Sequence, residues 1–246
     1  MNTLFEKLKQ RAQFKGPELA LKSAQQHVSN LQLLERIDDL ADQLGKTKLS
    51  CVALYMDNSI EWIVADLAAM KLGLTLIPIP LFFSQQQRQH LIHDAGIQAV
   101  ITQQELSKSF NYSRQHTLPG MQLLVLDNAS QPDISQLKNV AKITYTSGST
   151  GNPKGVCLST SNLQEVTQAL ADSISGLGVR HHLCIMPLAT LLENIAGVYV
   201  PLLMGSSIQV EPLSTIGFTQ SSGFNEQKFM TCIAQTKPNS IILLPQ

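Results

Sequence analysis

Several features that would indicate other classes of protein are missing from this chain of 246 residues. The 18 lysines and arginines equal the 18 aspartates and glutamates, so the formal net charge is zero and nothing indicates a nucleic-acid partner. The longest uncharged stretches, residues 72–87 and 194–209, contain prolines and are shorter than the roughly 20 apolar residues of a membrane-spanning helix. The sequence therefore predicts no transmembrane segment.

Signals for secretion and for a disulfide framework are also lacking. The basic first residues, MNTLFEKLKQRAQFKG, have no apolar segment behind them, so we predict a cytoplasmic chain. Leu4, Phe5 and Leu8 fit one apolar face of a short helix. Such a face more often packs against the rest of the protein than against a membrane, and peripheral membrane contact stays open as an alternative. No C-x-x-C pair occurs, and we expect reduced core thiols at all four cysteines: Cys51, Cys157, Cys184 and Cys232.

The histidines and two lysines are interpreted as ordinary surface groups. We find no carboxylate or cysteine beside the histidines at the spacing of a metal site, so no metal ligand is predicted among His90, His93, His181 and His182. Lys138 and Lys142 are expected to be solvated charges at the end of a strand.

Apolar strands alternate with amphipathic helices along the chain, which predicts an α/β fold with a mostly parallel sheet covered on both faces. Helices are predicted for residues 31–44, 59–72, 85–94, 161–174, 191–203 and 225–235. Strands are predicted for residues 49–56, 74–80, 98–102, 140–145, 156–158, 183–187, 207–211 and 240–244. A capping box is predicted at Ser161 and Gln164. The predicted core of the second helix comprises Trp62, Ile63, Ala65, Ala69 and Leu72.

The most specific segment is YTSGSTGNPKGVCLS, residues 145–159. Glycines let successive backbone N–H groups converge, hydroxyls add donors, and a lysine supplies positive charge, so this composition suits a polyphosphate. The usual strand-to-helix phosphate loop does not fit, because Asn152 and Pro153 precede the lysine and strands are predicted on both sides. A Ser/Gly-rich surface turn is the alternative. The candidate phosphate-binding residues are Thr146, Ser147, Gly148, Ser149, Thr150, Gly151 and Lys154.

At these residues the chain resembles the adenylate-forming enzymes, which include acyl-CoA synthetases, peptide-synthetase adenylation domains and luciferases. Residues 52–80 are similar to the family's early strand-helix-strand, and residues 186–205 to its second substrate-side motif. The resemblance implies the large N-terminal α/β domain of such an enzyme over residues 1–246. That domain is expected to be incomplete at its C-terminus, with the small C-terminal domain absent.

The resemblance implies carboxylate activation. A carboxylic acid and ATP form an acyl-adenylate and pyrophosphate, and the acyl group then passes to CoA or to an acyl carrier protein. By family analogy, Lys154 is the candidate catalytic residue and Thr146 the candidate ligand of Mg²⁺. Long-chain acyl-CoA synthetases commonly read P-L-x-H-x-x-E in the second motif, which Pro187, Leu188 and Glu193 match.

This match favours a fatty acid as the substrate and makes Glu193 a second candidate catalytic residue. Thr190 replaces the motif's histidine. The alternative for Glu193 is a solvated carboxylate at a helix N-terminus. Aryl acids and carrier-protein loading stay open.

The chain ends in SIILLPQ, an apolar strand that suits the middle of a sheet. We therefore expect a truncated ligase that is inactive by itself. In the family that the chain resembles, the segment that binds adenine, the aspartate that binds the ribose and the catalytic lysine of the C-terminal domain all follow the position of Gln246. A catalytically dead polyphosphate-binding or scaffold protein is a second hypothesis. An unrelated nucleoside-triphosphate hydrolase is disfavoured, because a Walker-type loop is lacking.

Overall fold

A computed structural model describes residues 2–127, 139–146, 153–218 and 223–243. The chain divides into two compact units. Unit 1 comprises residues 1–36, 57–60 and 161–246, and unit 2 comprises residues 37–56 and 61–160. Each unit contains one of the two sheets formed by the described residues.

The strands lie close to the predicted positions, and the structure adds two in the N-terminal region and a hairpin near residue 120. In chain order they are β1 (Leu19–Lys22), β2 (His27–Ser29), β3 (Cys51–Tyr55), β4 (Thr75–Pro78), β5 (Ala99–Thr102), β6 (Tyr112–Leu118), β7 (Met121–Leu126), β8 (Val140–Thr146), β9 (Lys154–Ser159), β10 (His181–Cys184) and β11 (Ser207–Val210).

The helices follow the apolar periodicity of the sequence. They are α1 (Asn2–Phe14), α2 (Asn30–Gly45), α3 (Ile60–Leu72), α4 (Gln85–Asp94), α5 (Thr160–Ile174), α6 (Val200–Met204), α7 (Leu213–Ile216) and α8 (Glu226–Thr236). A π-helix spans Glu193–Tyr199, and short 3₁₀ turns occur at Gln104–Ser109 and Ser175–Leu177. Among the described helices, none combines the length and the apolar character needed to cross a bilayer.

The sheet of unit 2 has the order β6-β7-β5-β3-β4-β8-β9. Its inner strands β5, β3, β4 and β8 are parallel, whereas β7, β6 and β9 pair antiparallel at the edges. All residues of β3, β4 and β5 are buried, as expected for parallel strands covered on both faces. The predicted α/β fold with a mostly parallel sheet is thus confirmed.

The sheet of unit 1 has the order β10-β11-β1-β2, and only β1 and β2 are antiparallel. Helix α1 packs into this unit, with Leu4 and Leu8 each 2% exposed. The Arg11 guanidinium donates to the carbonyl oxygens of Leu202 and Leu203 at the end of α6, where free carbonyl groups favour a cation. The leucines of this helix are therefore part of the core and do not face a membrane.

Four local predictions are wrong. Leu72 is 38% exposed, because it lies in the last turn of α3, beyond the buried Trp62, Ile63, Ala65 and Ala69. Cys157 is exposed on the edge strand β9, whereas the other three cysteines are buried and free. Ser161 does not cap α5, which begins one residue earlier. The predicted last strand is reduced, among the described residues, to a single bridge at Ser240.

Candidate functional site

The predicted phosphate-binding segment is flanked by a β-hairpin in unit 2. Strands β8 and β9 pair antiparallel from Val140 opposite Ser159 to Thr146 opposite Lys154, which confirms the strand-turn-strand prediction. Both Thr146 and Lys154 are exposed at the open end of this ladder. The structure therefore brings the hydroxyl-bearing residue and the lysine to one end of a hairpin. The remaining candidates lie outside the described residues: Ser147, Gly148, Ser149, Thr150 and Gly151.

The glycine that follows Lys154 has a steric role. A Cβ atom at Gly155 would lie 2.9 Å from Ile143 Cγ2 and 3.0 Å from Tyr145 Cζ, both on the paired strand β8. The Tyr145 hydroxyl donates a hydrogen bond of 2.6 Å to Asp94 at the end of α4. Burial, and after it the Asp94 carboxylate, raise the pKa of Tyr145, so the phenol stays protonated and keeps this bond. Gly155 thus lets the hairpin close over a fixed tyrosine ring.

Sequence reasoning missed one residue at this site, His90. Its Nε2 lies 3.1 Å from the carbonyl oxygen of Pro153, directly before Lys154. Because a carbonyl oxygen only accepts, Nε2 carries the hydrogen in this contact. Helix α4, which carries His90 in its second turn, begins at a capping box formed by Ser84 and Gln87. His90 and Pro153 are 63 positions apart, so no local sequence signal could have found this contact.

Lys142 does not have the exposed position that the sequence suggested. It is 1% exposed in β8, and its Nζ lies 2.5 Å from Asp66 Oδ1 of α3. The interpretation as a solvated charge is therefore wrong. The physical reason is that α3 presents a buried carboxylate directly opposite the strand. Lys138 lies outside the described residues.

The second motif belongs to unit 1 and is held by Asn58. The Asn58 side chain donates to the carbonyl oxygen of Met186 at 2.8 Å and accepts from the backbone N–H of Leu188 at 2.8 Å. It is only 3% exposed. The Thr190 hydroxyl, in the position of the motif's histidine, donates to the Pro187 carbonyl oxygen at 2.7 Å. The turn before the π-helix is therefore fixed by two polar side chains.

We expect Asn58→Ala to lower the free energy of unfolding by about 2 to 4 kcal/mol, because it leaves two backbone groups of this turn without partners. Denaturant unfolding monitored by circular dichroism measures this loss. Asn58→Asp retains the acceptor for Leu188 but places a buried carboxylate oxygen against the Met186 carbonyl oxygen, so it should cost at least as much as Asn58→Ala. Asn111→Ala, at an exposed position, should stay within about 0.5 kcal/mol. Equal values for Asn58→Ala and Asn111→Ala would contradict the bridging role.

Glu193, the second candidate catalytic residue, is the first residue of the π-helix and is fully buried. The alternative of a solvated helix carboxylate is therefore wrong. Glu193 Oε1 lies 3.5 Å from Nε2 of His182, a residue expected at the surface but only 1% exposed in β10. The role of Glu193 next to a bound acid stays a prediction, since its described neighbours are groups of the protein interior.

Comparisons with known proteins agree with this description. The family model described as "AMP-binding enzyme" matches residues 8–246. Gramicidin S synthase 2 of Brevibacillus brevis is 28% identical over 177 residues, which cover 70% of this chain and 4% of that protein. The polyketide synthase-nonribosomal peptide synthetase phmA of Phaeosphaeria nodorum is 28% identical over 182 residues, which cover 68% of this chain and 4% of that protein. The chain thus spans a small part of these relatives.

Solved structures share the fold. O-succinylbenzoate coenzyme A synthetase of Bacillus subtilis, in complex with ATP and magnesium ion, has a TM-score of 0.69 at 19% identity, covering 96% of this chain and 62% of that chain. The anthranilate CoA ligase AuaEII, in complex with anthranoyl-AMP, has a TM-score of 0.73 at 15% identity, and the match covers 97% of this chain and 49% of that chain. The family model extends over nearly the whole chain, and the hairpin with its lysine lies within the match. The chain belongs to the AMP-binding enzyme family of adenylate-forming synthetases.

Proposed function

We propose that this chain is the nucleotide-binding part of an ATP-dependent ligase that joins a carboxylic acid to AMP, with release of pyrophosphate, and then transfers the acyl group to a thiol. The observation that carries the proposal is the hairpin, which presents Thr146 and Lys154 together next to a segment rich in hydroxyls and glycines. The family match over residues 8–246 supports it. Because the chain spans 62% of the O-succinylbenzoate synthetase chain, the activity of a whole ligase is a proposal.

The described residues suit a polyphosphate. Lys154 is exposed at the first position of β9, where its ammonium group can balance phosphate charge. The Thr146 hydroxyl, exposed opposite it, is an oxygen ligand of the kind that Mg²⁺ accepts. Mg²⁺, when bound with ATP, supplies charge neutralisation for the departing pyrophosphate. The contacts of Gly155 and His90 would hold the base of the hairpin while the segment between Thr146 and Pro153 binds phosphate.

The acid is proposed to be a fatty acid, on the match of Pro187, Leu188 and Glu193 to the long-chain motif. Two observations favour keeping a second candidate, an aryl or amino acid. First, a protein named as a nonribosomal peptide synthetase and one named as an anthranilate CoA ligase are among the similar proteins. Second, Thr190 stands where the long-chain motif has a histidine, and its hydroxyl donates a hydrogen bond to the Pro187 carbonyl oxygen. CoA is the proposed acceptor for a fatty or aryl acid, and a carrier protein for an amino acid. The cytoplasmic location stays a prediction.

The proposal is tested by acid-dependent exchange of labelled pyrophosphate into ATP. Two samples are compared, the 246-residue chain and the product of the natural reading frame, each with fatty acids of several lengths, aryl acids and amino acids. We expect exchange with one class of acid in the product of the natural reading frame, and pyrophosphate binding without exchange in the 246-residue chain. ATP hydrolysis that ignores every acid would contradict a ligase. Pyrophosphate binding without exchange in both samples would favour the scaffold hypothesis.

A further inference from the structure

Three side chains that bind metals in other proteins meet in the interior of unit 1. His182 and Cys184 lie two positions apart on β10 and therefore point to the same face of the strand. Glu193 reaches that face from the start of the π-helix. One potential ligand atom from each residue lies within 4.8 Å of the other two, and all three residues are buried. The expectation that no cysteine or carboxylate stands near the histidines is wrong, because Cys184 lies two positions from His182 on the same face of β10 and the fold brings Glu193 to both.

Three polar atoms of this cluster have no hydrogen bond of normal length among the described residues: His182 Nε2 and both carboxylate oxygens of Glu193. The Cys184 thiol lies 3.5 Å from the Gly197 carbonyl oxygen, and its single hydrogen can satisfy one acceptor. When the thiol donates its hydrogen to the Gly197 carbonyl oxygen, none is left for the Glu193 carboxylate. His182 Nε2 and both Glu193 carboxylate oxygens then have no hydrogen-bond partner among the described residues. The 3.5 Å between Nε2 and Oε1 is longer than a hydrogen bond. The nearest described partners of the buried Glu193 carboxylate are the His182 imidazole at 3.5 Å and the Cys184 thiol, and a cation bound between the three groups would compensate its charge more fully.

The surrounding residues orient the three groups toward one another. His182 Nδ1 lies 3.0 Å from Ser240 Oγ, and a ring that donates from Nδ1 keeps the lone pair of Nε2 directed at Glu193. Gly197 permits the close approach, because a Cβ atom there would lie 2.5 Å from Glu193 Oε1 and 3.0 Å from His182 Nε2. The π-helix is a rare helix form that frequently marks functional sites.

We propose that His182 Nε2, Cys184 Sγ and the Glu193 carboxylate bind a divalent transition-metal ion, Zn²⁺. In a tetrahedral site with bonds of about 2.0 to 2.1 Å, ligand nitrogen and oxygen atoms are about 3.3 Å apart, close to the distance observed between His182 and Glu193. Thiolate and imidazole ligands select zinc over magnesium. This site is separate from the proposed polyphosphate site, whose residues belong to unit 2, and the inference does not depend on ligase activity.

The charges of such a site balance. Zn²⁺ with one thiolate, one carboxylate, a neutral imidazole and a water molecule as the fourth ligand has no net charge, which a buried site tolerates. Burial, and after it the Glu193 carboxylate, raise the pKa of the Cys184 thiol, so the metal-free thiol is protonated. On binding, the S–H bond breaks, a zinc–sulfur bond forms and one proton leaves to solvent.

The test uses untagged protein freed of metal by a chelator and titrated with Co²⁺, whose thiolate complexes absorb in the near ultraviolet. A Cys157→Ser background removes the exposed thiol. We expect one Co²⁺ per chain with a thiolate-to-cobalt absorption band that added Zn²⁺ abolishes. Cys184→Ser should remove the band, whereas Cys232→Ser, the matched buried cysteine of the same unit, should retain it. Ser240→Ala, which removes only the partner of Nδ1, should weaken binding by about 10- to 100-fold.

The midpoint of thermal unfolding, measured with and without Zn²⁺, distinguishes loss of the metal site from poor folding of a variant. Zn²⁺ should raise the midpoint of unfolding of the protein with all three ligands, because the ion binds only the folded chain, and should not raise that of Cys184→Ser or Glu193→Gln. Absence of a cobalt–thiolate band in the parent protein would overturn the proposal. So would a band that survives Cys184→Ser, or a zinc-induced rise in the midpoint that is equal in all variants.

Discussion

Replacing Lys142 with methionine is expected to lower the free energy of unfolding by about 3 to 5 kcal/mol, because it leaves the Asp66 carboxylate buried without its cation. Lys142 is 1% exposed and Asp66 is fully buried, with 2.5 Å between Nζ and Oδ1. The Trp62 ring lies 5.9 Å from the same Nζ and adds a cation–π contact. Equilibrium unfolding in urea, followed by Trp62 fluorescence and circular dichroism, measures the loss.

The magnitude follows from the cost of burying charge. Burial lowers the pKa of Lys142, and the Asp66 carboxylate opposes that shift by favouring the ammonium form. Removing the lysine removes the compensation but not the cost of the remaining carboxylate. Replacing both partners, as in Asp66→Leu with Lys142→Met, removes both charges and is therefore expected to recover most of the loss.

An exposed ion pair of the same unit is the matched control. Lys71 Nζ lies 2.5 Å from Asp38 Oδ1, but their side chains are 33% and 44% exposed. Water stabilises the charges of this pair, so Lys71→Met should cost at most about 1 kcal/mol. If Lys142→Met cost no more than Lys71→Met, the buried pair would not contribute the expected stability.

Replacing Lys154 with alanine in the product of the natural reading frame is expected to lower the rate of acid-dependent pyrophosphate exchange by about 10- to 150-fold. One charge-assisted hydrogen bond to the departing pyrophosphate contributes about 1.5 to 3 kcal/mol, and each 1.36 kcal/mol is a factor of ten. The side chain is exposed at the end of the hairpin, so the midpoint of thermal unfolding should stay nearly unchanged.

Two further variants separate this role from a general effect of charge. Lys154→Arg retains the positive charge on a longer, planar group and should recover part of the rate. Lys46→Ala removes an exposed lysine outside the hairpin and should leave the rate within about twofold. An exchange rate for Lys154→Ala that equals the parent's would remove Lys154 from the mechanism, whereas a parent without exchange would contradict the proposed function itself.

Local pattern was sufficient for most elements of this protein. The predicted helix 85–94 agrees with α4 at both ends, because Ser84 and Gln87 form a capping box that is local in sequence. Short apolar runs predict strands on both sides of the candidate phosphate-binding segment, and both occur as β8 and β9. The π-helix was predicted as ordinary helix, since its apolar pattern does not reveal the wider turn.

The sequence by itself determined the α/β class, the family and the position of the hairpin proposed to bind phosphate, because periodicity and a contiguous motif are properties of neighbouring residues. Only the tertiary structure decided which polar groups are buried. Lys142 meets Asp66 from 76 positions away, and Asn58 holds a turn 130 positions away. His182 and Glu193 become interior groups through the packing of β10 against the π-helix. The burial and pairing of charged groups depend on contacts between segments that are distant in sequence, and the local sequence around each group does not predict those contacts.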